Sequence, residues 1–374
     1  MLRTAIQFIL FDKPKSIGAL AGIIISLFLI GQQSGILIFL TDAMAPLPLN
    51  NKEYIWVTDS KTKDISAITS LDIRIGQQIK SIVGVEQVYP LVIAGGTAKF
   101  SSGKSSGITL VGSQAPAFVG GPWRKYTARE AAMLEEGGVI TEYFDRDILG
   151  GIQEGDFFEI NGKRVRNVGL TKGIRNFGGA SIAFTNIERA RYLTGFSRNE
   201  ASVFLVKIKA GANEESIIRS ITKQMNGVRA WNAEELALSS IKSVIKTSGI
   251  ATSFGTLIVF AILSGLVIIG LTLYSAAIDR IKDYGTLKAI GATNSYITRL
   301  ILIQAALFSI IGFVVGYILM EAFRFGMQQT GTYFRYTLWM QASFLMLTFL
   351  ISLGGSLFAI RRINSLEPAQ VFRG

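Results

Sequence analysis

The sequence contains no cysteine and no histidine. Disulfides, thiolate nucleophiles, histidine general bases and the usual zinc sites are thereby excluded. Charge is scarce too: 17% of the residues are Asp, Glu, Lys or Arg against 49% hydrophobic, and the mean hydropathy is +0.40. That balance is too apolar for an ordinary soluble domain and points to a membrane. The remaining charge runs basic, +12 net from 38 Lys+Arg and 26 Asp+Glu. Such a surplus serves nucleic acid, anionic lipid or membrane topology, and its placement decides among them.

Four apolar runs, residues 17–40, 254–277, 296–320 and 338–360, have the roughly 20 residues a bilayer-crossing helix needs. Basic residues gather on one side of them: Arg3, Lys13 and Lys15 before the first, Arg280, Lys282 and Lys288 between the second and third, Arg361, Arg362 and Arg373 after the fourth. Both termini are therefore expected in the cytoplasm, leaving residues 41–248 outside and no role for nucleic acid as partner. The third connection carries Arg324 and Arg335 offset by Glu321, as an outer loop should. Ala43-Met44-Ala45 after the first run imitates a signal-peptide cleavage site, but the run exceeds a signal core of about 7 to 15 residues, so it is read as a retained anchor. Residues 1–16 either hold a short interfacial helix ahead of Pro14 or fray.

The fold class expected is an α-helical membrane protein with four transmembrane helices, both termini inside, and a large α+β extracytoplasmic domain between helices 1 and 2. Within that domain a strand, helix, Gly-Val, strand pattern occurs twice, over 54–93 with Gly84-Val85 and over 203–231 with Gly227-Val228. Two βαβ-like halves are expected on one sheet, with a β-rich lobe inserted at about 113–200. Asn161-Gly162 between two strand-like runs predicts a tight hairpin there. Leu238, Ile241 and Ile245 share a helical face, so the second span, 249–277, either begins as an amphipathic stalk or follows a surface helix of the domain.

Residues 98–105, Ala-Lys-Phe-Ser-Ser-Gly-Lys-Ser, imitate a phosphate-binding loop but have the composition of a hairpin tip and are read as one. No charged residue lies at the centre of a span, which disfavours ion-coupled transport. Gln32, Gln33, Gln304 and Gln341 remain as polar groups that either line a substrate path or join helices. Glycine pairs at four-residue spacing, Gly18/Gly22, Gly31/Gly35 and Gly312/Gly316, permit close helix approach within the chain or between two copies.

Residues 279–294 connect the second and third spans. A short helix here is expected to present Tyr284, Leu287 and Ala289-Ile290 to a partner, with Gly285 and Gly291 allowing close backbone approach at its ends; an interfacial helix without a partner is the alternative. The stretch from Lys282-Asp283-Tyr284-Gly285 to Ala289-Ile290-Gly291-Ala292 resembles the R-E-x-G-x-x-x-A-x-G-A pattern of the MacB/FtsX-type permease family, with Asp283 where that family has Glu. Arg361-Arg362 followed by Glu367-Pro368-Ala369 resembles its C-terminal pattern, and one span, a large outer domain and three further spans match its arrangement over the whole chain. Within the family, Gln33-Ser34-Gly35, the segment 283–289 and Glu367-Pro368-Ala369-Gln370-Val371-Phe372 resemble DevC-like permeases.

This resemblance implies that Asp283, Tyr284, Gly285, Leu287, Lys288, Ala289, Ile290, Gly291 and Ala292 form a coupling helix docked on a separate ABC ATPase. The chain itself would be no enzyme and bind no cofactor or metal, ATP and Mg being held by the ATPase dimer. The resemblance further implies a permease homodimer in the bacterial inner membrane, in contact with lipid, with its large domain in the periplasm. A periplasmic adaptor and an outer-membrane channel complete the implied assembly, which exports a lipid-like or amphiphilic substrate by mechanotransmission. Release of lipoproteins, or activation of a cell-wall hydrolase without transport, are functions of related architectures.

Overall fold

The computed structural model describes residues 2–11, 13–65, 67–279 and 281–364. Arg280, Arg373 and the tail pattern 367–372 lie outside the described residues. The chain divides into two compact units, one of Met1–Ile38, Ile250–Gln329 and Tyr333–Gly374, the other of Phe39–Gly249 with Thr330–Thr332.

In chain order the elements are helices α1 (Leu2–Phe11), α2 (Lys13–Met44) and α3 (Pro46–Leu49), then strands β1 (Ile55–Asp59) and β2 (Leu71–Asp72), helix α4 (Arg74–Lys80), and strands β3 (Val85–Lys99), β4 (Ser105–Ser113), β5 (Gly138–Glu142), β6 (Phe157–Ile160), β7 (Lys163–Thr171) and β8 (Ser181–Asn186). Helix α5 (Ile187–Thr194), strands β9 (Glu200–Ala201) and β10 (Val203–Ile208), helix α6 (Glu214–Gln224), strand β11 (Val228–Trp231) and helices α7 (Ala233–Ser248), α8 (Ile250–Asp279), α9 (Ile281–Ala289), α10 (Asn294–Gln328) and α11 (Leu338–Asn364) follow.

α2, α8, α10 and α11 are long and apolar enough to cross a membrane. α10, with 35 residues, is about 50 Å long at helical rise and exceeds a hydrocarbon core of about 30 Å. Pro14 falls in the first turn of α2, where its missing N–H has no intrahelical partner to lose. Glycine sets the approach of these helices. A Cβ added at Gly312 would stand 2.4 Å from the Ile23 side chain, one at Gly316 2.8 Å from Leu27, and one at Gly22 2.6 Å from Ile268. α8 and α11 come closer still: a Cβ at Gly355 would meet the Gly270 backbone nitrogen at 3.1 Å. The paired glycines therefore serve packing inside this chain. Ser352 adds an interhelical hydrogen bond, its hydroxyl donating to the Ala305 carbonyl at 2.8 Å.

In the second unit nine strands run in the order β11-β1-β10-β3-β4-β8-β5-β7-β6. β10 is antiparallel to both β1 and β3, and β1 is antiparallel to both β10 and β11. Each sequence repeat is thus a split unit: β1-α4-β3 holds β10 between its parallel strands, and β10-α6-β11 holds β1. The two halves interleave to give the β11-β1-β10-β3 order of a ferredoxin-like sheet. Apolar residues from β1, β10, α4 and α6, among them Val57, Phe204, Ile79, Ile217 and Ile221, form the core under the helices. Asn213 caps α6 by accepting from the Ser216 N–H at 2.9 Å.

The lobe begins earlier than residue 113. β3 pairs with β10 up to Leu91 and with β4 from Val92 onward, so a single 15-residue strand joins the ferredoxin-like part of the nine-stranded sheet to the lobe. β6 pairs back onto β3 at Ala98 and Lys99, closing β3-β4-β8-β5-β7-β6 into a small barrel around Phe100, Leu110, Phe158 and Ile160. Residues 99–105 are the β3–β4 hairpin, with Gly103 at φ 77° and its N–H donating to the Phe100 carbonyl. Asn161 and Gly162, at φ 52° and 74°, make the β6–β7 turn. Glu142 at the end of β5 is fully buried. It accepts from the Thr171 hydroxyl at 2.7 Å and from the Gly173 and Ile174 N–H groups at 2.6 and 3.0 Å.

α7 is a helix of the second unit, separate from α8 and ended by Gly249 in the left-handed conformation. It buries Leu236, Ala237 and Ser240, whereas Leu238 is exposed, a correction to the face built on Leu238, Ile241 and Ile245. Ser240 decides the rotation: its hydroxyl accepts the Ile65 N–H at 3.0 Å, a bond that can be made only with that side inward.

Candidate functional site

α9 is nine residues long and joins α8 to α10. Its C-terminus is a complete Schellman motif. Gly291, at φ 101°, donates to the Lys288 carbonyl at 3.0 Å, and Ala292 donates to the Leu287 carbonyl at 2.9 Å. The Gly-Ala pair of the sequence pattern thus has a local reason: glycine takes the left-handed position without a Cβ penalty, and the following residue closes the outer bond. Two residues later Thr293 caps α10, its side chain accepting from the Tyr296 N–H. Stop and start signals leave no slack between the two helices.

The faces of α9 differ from the expected ones. Tyr284 is 3% exposed and lines a small cavity of about 30 Å³ together with Lys15, Ser16, Ala277, Ile301 and Gln304. Gly285 is buried beside it. Tyr284 is therefore corrected from a docking residue to the inner anchor of α9, because its ring fills the space among the ends of α2, α8 and α10. The outer face consists of Lys282, Asp283, Thr286, Ala289 and Ile290, with Ile290 77% exposed. Leu287 is half-buried, and Gly291 is exposed with Ala292 half-buried behind it.

Lys288 also turns back on the protein. Its Nζ donates to the Ile363 carbonyl at 3.0 Å and the Asn364 carbonyl at 3.4 Å, at the end of α11, and burial lowers its pKa. One cation thereby ties α9 to two backbone carbonyls in the last described residues of α11. Asn364 donates in turn to the Thr298 hydroxyl at 3.1 Å. On the other side, Lys15 at the start of α2 pairs with Asp279 at the end of α8 and donates to the Ser275 carbonyl at 3.3 Å. α9 is consequently tied to α11 by Lys288 and packed by Tyr284 against the cavity that Lys15 also lines.

Of the four amides, Gln304 alone lines this cavity; it is 8% exposed and its Nε2 has no protein acceptor. A buried amide donor of this kind is ordinarily met by water, and the cavity has room for about one. Gln341 donates to the Tyr336 carbonyl at 3.2 Å, and Gln32 and Gln33 are half-buried in α2. Sequence reasoning missed Lys15, Asp279 and Asn364, which lie far apart in the chain. Their only visible signal was polarity next to an apolar run. Among the described residues no cluster of Asp and Glu has the makings of a metal site.

Residues 255–368, α9 included, match the family model for the FtsX-like permease C-terminal region. A 252-residue stretch, 63% of this chain, is 25% identical to an uncharacterized ABC transporter permease of Methanocaldococcus jannaschii. The chain spans 61% of that relative's length. The extracellular domain of the noncanonical ABC-type transporter YknZ from Gram-positive bacteria superposes with a TM-score of 0.35 and 16% identity over 48% of this chain and 98% of that one. The periplasmic region of MacB from Actinobacillus actinomycetemcomitans gives 0.38 and 12% over 53% and 94%. Superpositions that loose carry no weight for the assignment. The four membrane-length helices among the described residues and the C-terminal match define a multi-pass membrane protein with an FtsX-like permease region.

Proposed function

We propose that this chain is the permease subunit of an ABC exporter of the MacB/FtsX type, DevC-like in kind, driven by a separate ATPase dimer that holds ATP and Mg. The observation that carries the proposal is α9: it lies within the FtsX-like region, is held rigidly on its inner side by Tyr284 and Lys288, and turns Lys282, Asp283, Thr286, Ala289 and Ile290 outward. A short helix clamped on one face and exposed on the other can pass a displacement from a docked ATPase to the ends of α8, α10 and α11. The basic flanks of the apolar runs favour α9 and both termini in the cytoplasm and the β-rich unit outside it. The motion delivered outside would expel a lipid-like or amphiphilic substrate through a periplasmic adaptor and an outer-membrane channel, with two permease copies working together at the inner membrane.

The test is isolation of the tagged protein from its native host in mild detergent, with co-purifying chains identified by mass spectrometry. An ATPase together with an adaptor supports the exporter. An ATPase with a cell-wall hydrolase would replace transport by signal transmission, and absence of any ATPase would overturn the reading. In reconstituted vesicles Ile290→Glu with Asp283→Arg should abolish stimulation of the ATPase by the permease while the protein stays inserted. Unchanged stimulation would refute the docking face.

A further inference from the structure

The barrel lobe carries an open cavity of about 610 Å³ whose lining includes Arg164, Arg166 and Arg189, the aromatic rings of Phe157 and Tyr192, and one carboxylate, Glu136. The charges come from two elements. Arg164 and Arg166 alternate with the buried Val165 on β7 and so stand on its exposed face, while Arg189 and Tyr192 project from α5. Asn161 of the hairpin turn donates to the Leu193 carbonyl at 3.1 Å, which fixes β7 relative to α5.

The donors on these arginines are only partly used. Arg164 lies 4.0 Å over the Phe157 ring, a contact that takes no acceptor and leaves the guanidinium N–H groups available. Arg166 approaches Glu135 only at 3.8 Å, with both side chains about half exposed. Arg189 donates from Nη1 to the Met133 and Gly138 carbonyls at 2.6 and 3.0 Å. Among the described residues nothing accepts from its Nε or Nη2, and burial lowers its pKa, the mark of a cation short of solvent. Phe157 and Tyr192, 52% and 63% exposed, flank the charges, each with a cation over one ring face, Arg164 on Phe157 and Lys163 on Tyr192 at 4.2 Å, so that the ring edges and opposite faces are the apolar surface left to a ligand. A cavity of this size suits a headgroup-sized ligand and not a folded partner.

We propose that this cavity is a receptor for an oxyanion, a phosphate or carboxylate group carried on a small body that rests against Phe157 and Tyr192. Guanidinium forks present paired N–H donors at the spacing of two oxygens of such a group, and three of them outnumber the two nearby carboxylates, Glu136 in the lining and Glu135 at 3.8 Å from Arg166. The site owes nothing to the transport reading. It is built from β6, β7, α5 and the residues before β5, shares no residue with α9, and would hold if the chain only transmitted a signal.

The test uses inorganic phosphate as probe, titrated at constant ionic strength into the full-length protein in phosphatidylcholine nanodiscs, with thermal stability as readout. Stabilisation should saturate with a half-point below about 1 mM. The R164Q/R166Q variant, both sites being on an exposed strand face, should fold normally and weaken the half-point at least about tenfold. Arg189→Gln risks unfolding through the lost Met133 and Gly138 bonds, so the exposed pair is the variant of choice. If added phosphatidylglycerol vesicles displace phosphate and phosphatidylcholine vesicles do not, the group enters on a lipid; if neither does, it enters on a soluble molecule. Both outcomes keep the receptor. Linear, non-saturating stabilisation, or equal half-points in wild type and variant, would overturn it.

Discussion

The two units solve packing with the same residue types in opposite ways. In the membrane unit glycine is mostly helical and marks where another helix presses, as at Gly22, Gly312, Gly316 and Gly355, while large apolar residues such as Leu257, Phe260 and Leu271 face outward. In the β-rich unit most glycines sit at positive φ in turns, and the large apolar residues Trp56, Phe184 and Phe204 are fully inside. Lipid supplies no hydrophobic drive between helices, so close approach and interhelical bonds must do that work, whereas water drives burial in the other unit. A residue's composition class therefore predicts little until its solvent is known.

Four substitutions probe this contrast. The largest effect is expected at Gly355→Val. Its Cβ would stand 2.9 Å from Ile269 and 3.1 Å from the Gly270 backbone, so α8 and α11 must part, at a cost of about 3 kcal/mol. Detergent-unfolding curves should show it, and a wild-type curve would mean that the two helices do not touch there. Glu142→Leu in the β-rich unit should cost about 2 kcal/mol by stranding the Phe144, Gly173 and Ile174 N–H donors and leaving the Thr171 hydroxyl only the Thr141 carbonyl at 3.3 Å. Urea unfolding followed by tryptophan fluorescence measures it, and a neutral result would contradict the buried network.

Gly291→Ala should cost about 1 kcal/mol, because an L-residue is strained at φ 101°, and should lower permease-stimulated ATPase activity more than it lowers stability. Equal loss in both would make α9 a structural element only. The smallest change, and the only stabilising one, is expected at Gly326→Ala. An added Cβ meets nothing within 4 Å there, so the gain is the helix preference of alanine over glycine, about 0.5 kcal/mol. Destabilisation at Gly326 would reveal a contact made with another molecule.

Much of this was legible in the chain because hydropathy, capping residues and turn dipeptides act locally. The four long helices, the Asn161-Gly162 turn, the repeated strand-helix-strand and the hairpin at 99–105 all depend on residues a few positions apart. Strand order was not legible. Nothing in β1 says that its neighbours are β10 and β11, because any half-buried apolar strand has the same alternation. The orientation of α9 failed for a related reason: a nine-residue helix with few apolar residues has no decisive apolar face, and whether Tyr284 points inward depends on the gap left by α2, α8 and α10. β3 concealed the lobe boundary because a strand that changes partner at Val92 changes nothing in its own sequence. The arginines around the lobe cavity looked like ordinary surface charge until the β6–β7 turn brought β7 beside α5.

The interleaving of β1, β10, β3 and β11 bears on how the chain is made. Both strands that flank β1 lie beyond the barrel, so during synthesis β1 must wait unpaired until residues 203–231 have emerged, whereas β3 to β8 can close into their barrel without them. Pairings so distant in sequence are slow to form, and a waiting strand edge is open to wrong partners. The lobe is thereby the early-folding part of its unit and the ferredoxin-like sheet the late one. Ribosome-arrested chains ending before residue 203 should show a protease-resistant barrel and a cleavable β1.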